Sequence, residues 1–198
     1  MISRIVLDAD GVLTDFCSAA ALAHGWTVKR FFKGYPRGQY GINQYMGLTS
    51  EHFWKPLDTP EFWSKVPFYR GAPEFVRNVL RISNRFGQQV VVATQATANP
   101  ATLGAKAELL ATLGLPLYCC WNGDKKPFDN GTTLLVDDCD QNLAMWQGPA
   151  ILVSQLWNSN NGTPFLVRWQ DYGCPNYGSL LSRIRAECSR NTGLMAKS

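Results

Sequence analysis

The sequence predicts an α/β protein: a doubly wound parallel sheet with a small helical cap inserted after the first strand. Three observations carry this. Short apolar runs at residues 5–7, 89–93, 117–121, 134–136 and 150–153 have the length and composition of buried strands. From residue 71 onward these runs alternate with stretches of helical spacing, and that rhythm implies parallel pairing. Between the first run and the rest, residues 15–68 are rich in aromatics, hold no alternating strand, and are broken by Pro36, Gly38, Gly41 and Gly47. The division that follows is a core of residues 1–14 and 69–198, with a cap of residues 15–68.

Composition narrows the class. A chain of 198 residues with 45% hydrophobic and 17% charged residues can build one cored domain and a small cap. The net charge of +4 is modest and no Lys/Arg cluster stands out, so a nucleic-acid surface is not indicated, while a small anionic substrate fits. The six cysteines form no Cys-x-x-Cys pair, and His24 and His52 lack ligand spacing, which argues against structural zinc. The first strand begins almost at Met1, leaving no room for a signal peptide, and no apolar run reaches membrane-spanning length. The expectation is a cytoplasmic protein with reduced thiols and no membrane partner. Whether it forms a homo-oligomer is left open.

The first strand, Ile5-Val6-Leu7, runs into Asp8-Ala9-Asp10-Gly11. Ligands of open parallel sheets bind beyond the carboxyl ends of the strands, so both acids stand at the mouth of a site. Alternation along an extended segment sends Asp8 and Asp10 to one side, and Gly11 then lets the backbone turn. Two carboxylates on one side repel unless a cation lies between them, most simply Mg²⁺. A calcium loop also begins Asp-x-Asp, but it needs glycine sixth and glutamate twelfth, and here the glycine is fourth.

In the cap, Asp58-Thr59-Pro60 marks a helix start, with Asp58 or Thr59 as N-cap and Pro60 at the first position. Pro73 opens a helix whose apolar positions are Phe75, Val76, Val79, Leu80 and Phe86, and Gly87 stops it. Asn99-Pro100 starts the next helix, which carries Leu103, Ala107, Leu110 and Leu113 along one face. Residues 142–147 read as a short helix, and Leu180, Leu181, Ile184 and Cys188 mark a last amphipathic one. Residues 157–178 show no clear pattern, and the final residues read as a frayed tail.

Three later positions stand out. Thr94 closes the 89–93 run and brings a hydroxyl to a strand end. Lys125 and Lys126 lie ahead of the 134–136 run, and their spacing does not choose between them. Asp137-Asp138 then ends that buried run, where acids are costly unless exposed or bound to a cation. One divalent cation shared with Asp8 and Asp10 accounts for all four carboxylates.

A strand followed by Asp-x-Asp-Gly-Val-Leu-Thr-Asp-Phe, then the threonine, the lysine and the paired acids in this order, resembles the haloacid dehalogenase superfamily of phosphatases. Over most of its length the chain is similar to the 5'(3')-deoxyribonucleotidase family, including its phage and bacterial members. That likeness rests on the cap directly after the first motif, Glu61-Phe62-Trp63 with Val66-Pro67 and Gly71-Ala72, Asp137-Asp138 with Asn142, and Gln155-Leu156-Trp157-Asn158. Gln95 departs from the mammalian members, which follow the threonine with serine.

The resemblance implies an α/β core of that type and a Mg²⁺-dependent phosphomonoesterase for nucleoside monophosphates. Asp8 would be the nucleophile and Asp10 the general acid and base. Asp8, the backbone carbonyl of Asp10, Asp137 and Asp138 would hold Mg²⁺. Thr94 with Lys125 or Lys126 would bind the phosphoryl group, and Phe62 and Trp63 in the cap would stack on the base. Two other readings compete: a phosphatase of the same fold for a polynucleotide 3'-phosphate or a sugar phosphate, and a silent member that only binds nucleotides.

Overall fold

Ile5, Val6 and Leu7 are apolar without interruption, and all three are fully buried in strand β1 (Arg4–Leu7). The computed structural model, which describes residues 2–158 and 175–190, puts this strand at the centre of a five-stranded sheet. The others are β2 (Gln89–Gln95), β3 (Leu117–Cys120), β4 (Thr133–Asp137) and β5 (Ala150–Leu152). Their order is β3-β2-β1-β4-β5 and every pair is parallel. The chain winds outward from β1 to β3, then crosses back to β4 on the other side. Such a reversal opens a crevice at the carboxyl ends of the strands beside it.

Register sets what faces that crevice. Leu7 lies opposite Val92 on one side and Val136 on the other, so β1 and β4 end nearly level while β2 runs on to Gln95. Alternation divides the side chains between the two faces. Ile5, Leu7, Val90, Val92, Leu134 and Val136 share one core cluster, and Val6, Val91, Ala93 and Leu135 share another.

The insertion holds five short helices: α1 (Phe16–Ala23), α2 (Val28–Gly34), α3 (Ile42–Tyr45), α4 (Ser50–Trp54) and α5 (Pro60–Ser64). Helices this short are marginal alone, and side-chain caps from Asp15, Thr27, Thr49 and Thr59 start four of them. They pack around a separate apolar cluster that includes Phe31, Tyr35, Phe53 and Leu57. Where the chain leaves the sheet layer and where it returns, the two segments run side by side. Asp15 N–H donates to the Pro67 carbonyl at 2.8 Å, and Tyr69 N–H to Leu13 at 2.9 Å.

The remaining helices are α6 (Ala72–Phe86), α7 (Pro100–Ala111), α8 (Asp140–Ala144) and α9 (Tyr177–Arg190). Helix α6 starts with Pro73 in its first turn and ends at Gly87, whose φ of 67° is the left-handed stop that glycine favours. Phe75 of α6 stacks on Tyr177 of α9 at 4.5 Å, which fixes the last helix to the sheet layer.

Several boundaries differ from the sequence reading. Trp121 leaves the sheet for a short 3₁₀ turn, Trp121–Gly123, and β3 is an edge strand with Tyr118 and Cys119 exposed. Helix α8 begins at Asp140, earlier than expected, because Cys139 N–H donates to the Asp137 carboxylate and turns the chain. Helix α7 is rotated. Its buried face is Thr102, Ala105, Lys106 and Leu110, not the Leu103, Ala107, Leu110 and Leu113 line, and the polar members have partners in place of water. Most of the 157–178 segment, including Cys174, and the C-terminal tail lie outside the described residues. Among the described residues the five cysteines are unpaired and no helix is long and apolar enough to cross a membrane.

Leu134, fully buried beside β1, measures what the sheet core contributes. Leu134→Ala should cost about 2–5 kcal/mol in denaturant unfolding. Leu22→Ala, at a site 59% exposed, should stay within about 0.5 kcal/mol. Similar losses at both would contradict the placement of the core.

Candidate active site

The level strand ends bring three acids together. Asp8 follows β1, Asp137 ends β4 and Asp138 comes next; one oxygen from each lies within 4.8 Å of the others. All three residues are buried. The loop after Asp8 is tight because Leu13 and Thr14 N–H both donate to the Ala9 carbonyl, at 2.8 and 2.9 Å. Gly11 turns it with φ 79°, and a Cβ there would stand 2.1 Å from Asp138 Oδ2. Glycine is therefore required twice, for the turn and for the approach of Asp138.

Lys125 braces the cluster. Its Nζ lies 2.8 Å from Asp8 Oδ1 and donates to Asp137 Oδ2 at 2.7 Å. Asn142 Nδ2 donates to the same Asp137 oxygen at 3.0 Å, and Cys139 N–H to the other at 2.8 Å. Asp138 is held from the far side by Trp157 Nε1 at 2.8 Å, while Asn158 Nδ2 donates to its backbone carbonyl at 2.6 Å. Gln155 Nε2 donates to the Gly11 carbonyl and completes the frame. The Gln155-Leu156-Trp157-Asn158 run is thus scaffolding for the acids.

The cluster is short of positive charge. Burial, with the Asp137 and Asp10 charges behind it, pushes Asp8 up to about 7 even though Lys125 pulls it down. Burial likewise pushes Asp138 well above the carboxylate range, with Asp8 and Asp137 adding to the rise. Burial opposes the charge of Lys125, but the two carboxylates it touches outweigh this and raise its pKa above the ordinary lysine value. One ammonium among three buried carboxylates leaves room for a divalent cation, and all-oxygen ligands suit a hard ion such as Mg²⁺. The donor set fits.

Thr94, at the end of β2, is completely buried, and its hydroxyl has no hydrogen-bond partner among the described residues. An unsatisfied hydroxyl is costly, so this one is suited to a ligand oxygen.

Asp10 is placed differently from the expectation of a shared side. The tight loop turns its carboxylate out of the group of three. Thr14 Oγ1 donates to Oδ1 at 2.9 Å and Lys106 Nζ to Oδ2 at 2.6 Å. The side chain of Asp10 is 28% exposed, against 10% for Asp8. The two lysines 125 and 126 also part company: Lys125 reaches the acids and Lys126 is exposed, its N–H taken by Asp124. Trp63 is only 3% exposed; it stacks on Phe16 at 5.5 Å and lies 4.5 Å beneath the Lys106 ammonium. Phe62 meets Phe16 and Trp63 edge-on. Trp63 is packed between the insertion and α7, which leaves it no open face for a base, while Phe62 is half-buried.

Two residues at the site went unread in the sequence. Lys106 carried a signal: it is four residues from both Thr102 and Leu110, on the same helix face. Tyr40 carried none. It is 57% exposed and follows Gly38, whose N–H donates to the Leu156 carbonyl at 2.8 Å, one residue before the Trp157 that bonds Asp138.

No protein-family model and no curated protein sequence matches the chain. Solved structures do. A haloacid dehalogenase-like family hydrolase from Xanthomonas campestris aligns over 96% of this chain and 94% of its own, at 13% identity with a TM-score of 0.54. A HAD family hydrolase from Deinococcus radiodurans R1, with bound phosphate and sodium, covers 92% of this chain and 88% of its own at 17% identity, TM-score 0.47. The HAD-hydrolase YfnB from Bacillus subtilis, bound to magnesium, covers 83% and 91% at 14% identity, TM-score 0.46. The fold of this chain is the haloacid dehalogenase-like hydrolase fold, on the strength of the Xanthomonas structure.

The raised acids predict a pH dependence in metal-free protein. Folding lifts Asp8 from 3.8 to about 7, so between those values the folded state binds more protons than the unfolded chain. Stability in excess chelator should therefore fall as pH rises through that window. Mg²⁺, which favours ionised carboxylates, should abolish the fall. A melting temperature that is flat or rises from about pH 4 to about pH 7 without metal would contradict the electrostatic picture.

Proposed function

We propose that the chain is a Mg²⁺-dependent phosphomonoesterase that acts on nucleoside monophosphates, deoxynucleotides among them, through an aspartyl-phosphate on Asp8. The observation that carries the chemistry is the Lys125-braced group of Asp8, Asp137 and Asp138, with the unpartnered Thr94 hydroxyl near the end of the neighbouring strand β2. In this reading residues 1–14 with 69–198 form the catalytic core and residues 15–68 the cap.

Asp8 attacks phosphorus and the bond to the leaving oxygen breaks. Asp10, the accessible acid of the loop, protonates that oxygen and then takes a proton from the water that hydrolyses the intermediate. Lys125 neutralises Asp8 and the phosphoryl oxygens, and Thr94 donates its hydroxyl to one of them. Asp8, the Asp10 carbonyl, Asp137 and Asp138 would hold Mg²⁺, which when bound would supply further neutralisation of charge on the phosphoryl group.

The base falls to Tyr40 in place of Trp63, whose ring is covered by Phe16 and Lys106, and of Phe62, which is half-buried and edge-on to Phe16 and Trp63. Tyr40 sits on the loop between α2 and α3, which is tied down next to the acids. Gly38 N–H donates to the Leu156 carbonyl at 2.8 Å, and the next residue, Trp157, bonds Asp138. A second reading, a phosphatase for polynucleotide 3' ends, is favoured by one observation. An open cavity of about 590 Å³ on the cap is lined by Trp26, Tyr45, Lys29, Arg30 and Lys33, a mixture of rings and cations that suits a nucleic-acid strand.

Asp8→Asn keeps the shape and removes the attacking charge, so turnover should drop at least about a thousandfold, roughly 4 kcal/mol in the barrier. Near-normal phosphate release by folded Asp8→Asn protein would take Asp8 out of the mechanism.

A panel of nucleoside monophosphates, sugar phosphates and 3'-phosphorylated oligonucleotides tests the substrate. Nucleoside monophosphates should give the highest kcat/KM, and preference for the oligonucleotide would support the second reading. Stacking is worth about 1–3 kcal/mol, so Tyr40→Ala should cost roughly tenfold to a hundredfold on a nucleotide. It should cost far less on nitrophenyl phosphate, which carries no base. Equal losses on the two would remove base recognition from Tyr40.

A further inference from the structure

Lys106 is the feature of the site that the reaction outlined above leaves without a task. It lies on α7, and its side chain is 4% exposed. A buried ammonium is expensive unless paired, and here three contacts hold it. It donates to Asp10 Oδ2 at 2.6 Å and to the Gln95 carbonyl at 3.3 Å, and it lies 4.5 Å over the Trp63 ring. Those partners belong to three different parts of the molecule: the acid loop after β1, the end of β2, and helix α5 of the insertion. With Thr14 Oγ1 on Oδ1, both oxygens of Asp10 are spoken for, and the carboxylate is held away from the other acids.

We propose that Lys106 is a positioning residue: it holds the Asp10 carboxyl where the leaving oxygen will stand, and does so when α5 is docked and Trp63 covers it. The argument is geometric. Asp10 sits on a loop and could swing toward the acid cluster, where one more carboxylate would crowd Asp8. Lys106 draws it the other way, and the Gln95 carbonyl and Trp63 ring fix the ammonium in turn. Proton transfer depends steeply on such placement, since a displacement of about 1 Å can cost a hundredfold. The role of Trp63 changes with this. It is a lid over the cation, and it couples the seating of the insertion to the acid loop without touching substrate.

The inference rests on the phosphatase reading, and leaving-group dependence separates the two. In the first half of the reaction the bond from phosphorus to the leaving oxygen breaks, and that oxygen takes its proton from Asp10. An alkyl leaving group, as in a nucleoside 5'-monophosphate, needs this proton; 2,4-dinitrophenolate departs without it. Lys106→Met should therefore lower single-turnover cleavage of the alkyl ester by about a hundredfold with KM little changed. The burst of dinitrophenolate from the activated ester should stay within about threefold of the unmodified protein. Lys106→Arg, which keeps the cation, should recover at least about tenfold of the alkyl-ester loss, and its melting temperature guards against a folding defect in the methionine variant. Equal losses on both esters, an undiminished alkyl-ester rate, or a rise in KM alone would overturn the positioning role while leaving the phosphatase reading intact. An unmodified protein inactive on both esters would instead overturn the phosphatase reading, and the positioning role with it.

Discussion

Three carboxylates buried at the level ends of two neighbouring strands are the constraint to which the rest of this structure answers. Left alone they would repel, and burial pushes Asp8 and Asp138 above the ordinary carboxylate range. Each surrounding feature reduces that cost in its own way. Lys125 lies against two of the acids, Asn142 and the Cys139 amide bond Asp137, and Trp157 bonds Asp138. Gly11 is left bare so that Asp138 can approach. The charge that remains is what a divalent cation would meet.

This frame also explains why the insertion is more than a lid on a hinge. Trp157 belongs to the apolar cluster of the insertion and at the same time donates to Asp138. Lys106 belongs to the sheet layer and lies against Trp63 of the insertion. The two contacts reach opposite members of the site, Asp138 through one and Asp10 through the other. Movement of the insertion would therefore be felt at the acids themselves and not only in access to them. Interfaces built from such discrete contacts tend to switch and not to deform continuously.

Much of this was legible in the sequence. The buried strands announced themselves as apolar runs, and the acids stood where each run stopped, so the sheet and Asp8, Asp137 and Asp138 follow from pattern and topology. What was not legible depends on side-chain direction in three dimensions. Alternation assigns Asp10 to the side of Asp8, but the amides converging on the Ala9 carbonyl turn the loop before alternation can apply. Spacing could not separate Lys125 from Lys126, because the turn between β3 and β4 decides which lysine faces inward. Hydrophobic periodicity misplaced the buried face of α7, since two of its inward residues, Thr102 and Lys106, are polar. The aromatic stretch around Trp63 looked like a binding surface for the opposite reason: rings that stack on each other in a small core and rings that stack on a base have the same composition.

Asp8 and Asp10 are two residues apart on one loop, yet the fold gives them different surroundings, and that difference is what the proposed two-carboxylate mechanism would require. Asp8 is the more enclosed of the pair and shares its lysine with Asp137. Asp10 is the more exposed, and its lysine, Lys106, is not bonded to any of the clustered acids. A nucleophile must be ionised and fixed beside the phosphoryl site, and a cation shared within a crowded acid group serves that end. A residue that delivers and recovers protons must reach both the leaving group and water, and a position at the edge of the cluster allows it. The turn at Gly11 brings this about with little sequence. It follows the strand that ends at Leu7, sends Asp10 toward Lys106 of α7, and returns the chain to the insertion within a few residues. In the proposed mechanism the division of labour between the two acids would come from where the backbone turns, and that turn is also what makes room for Asp138.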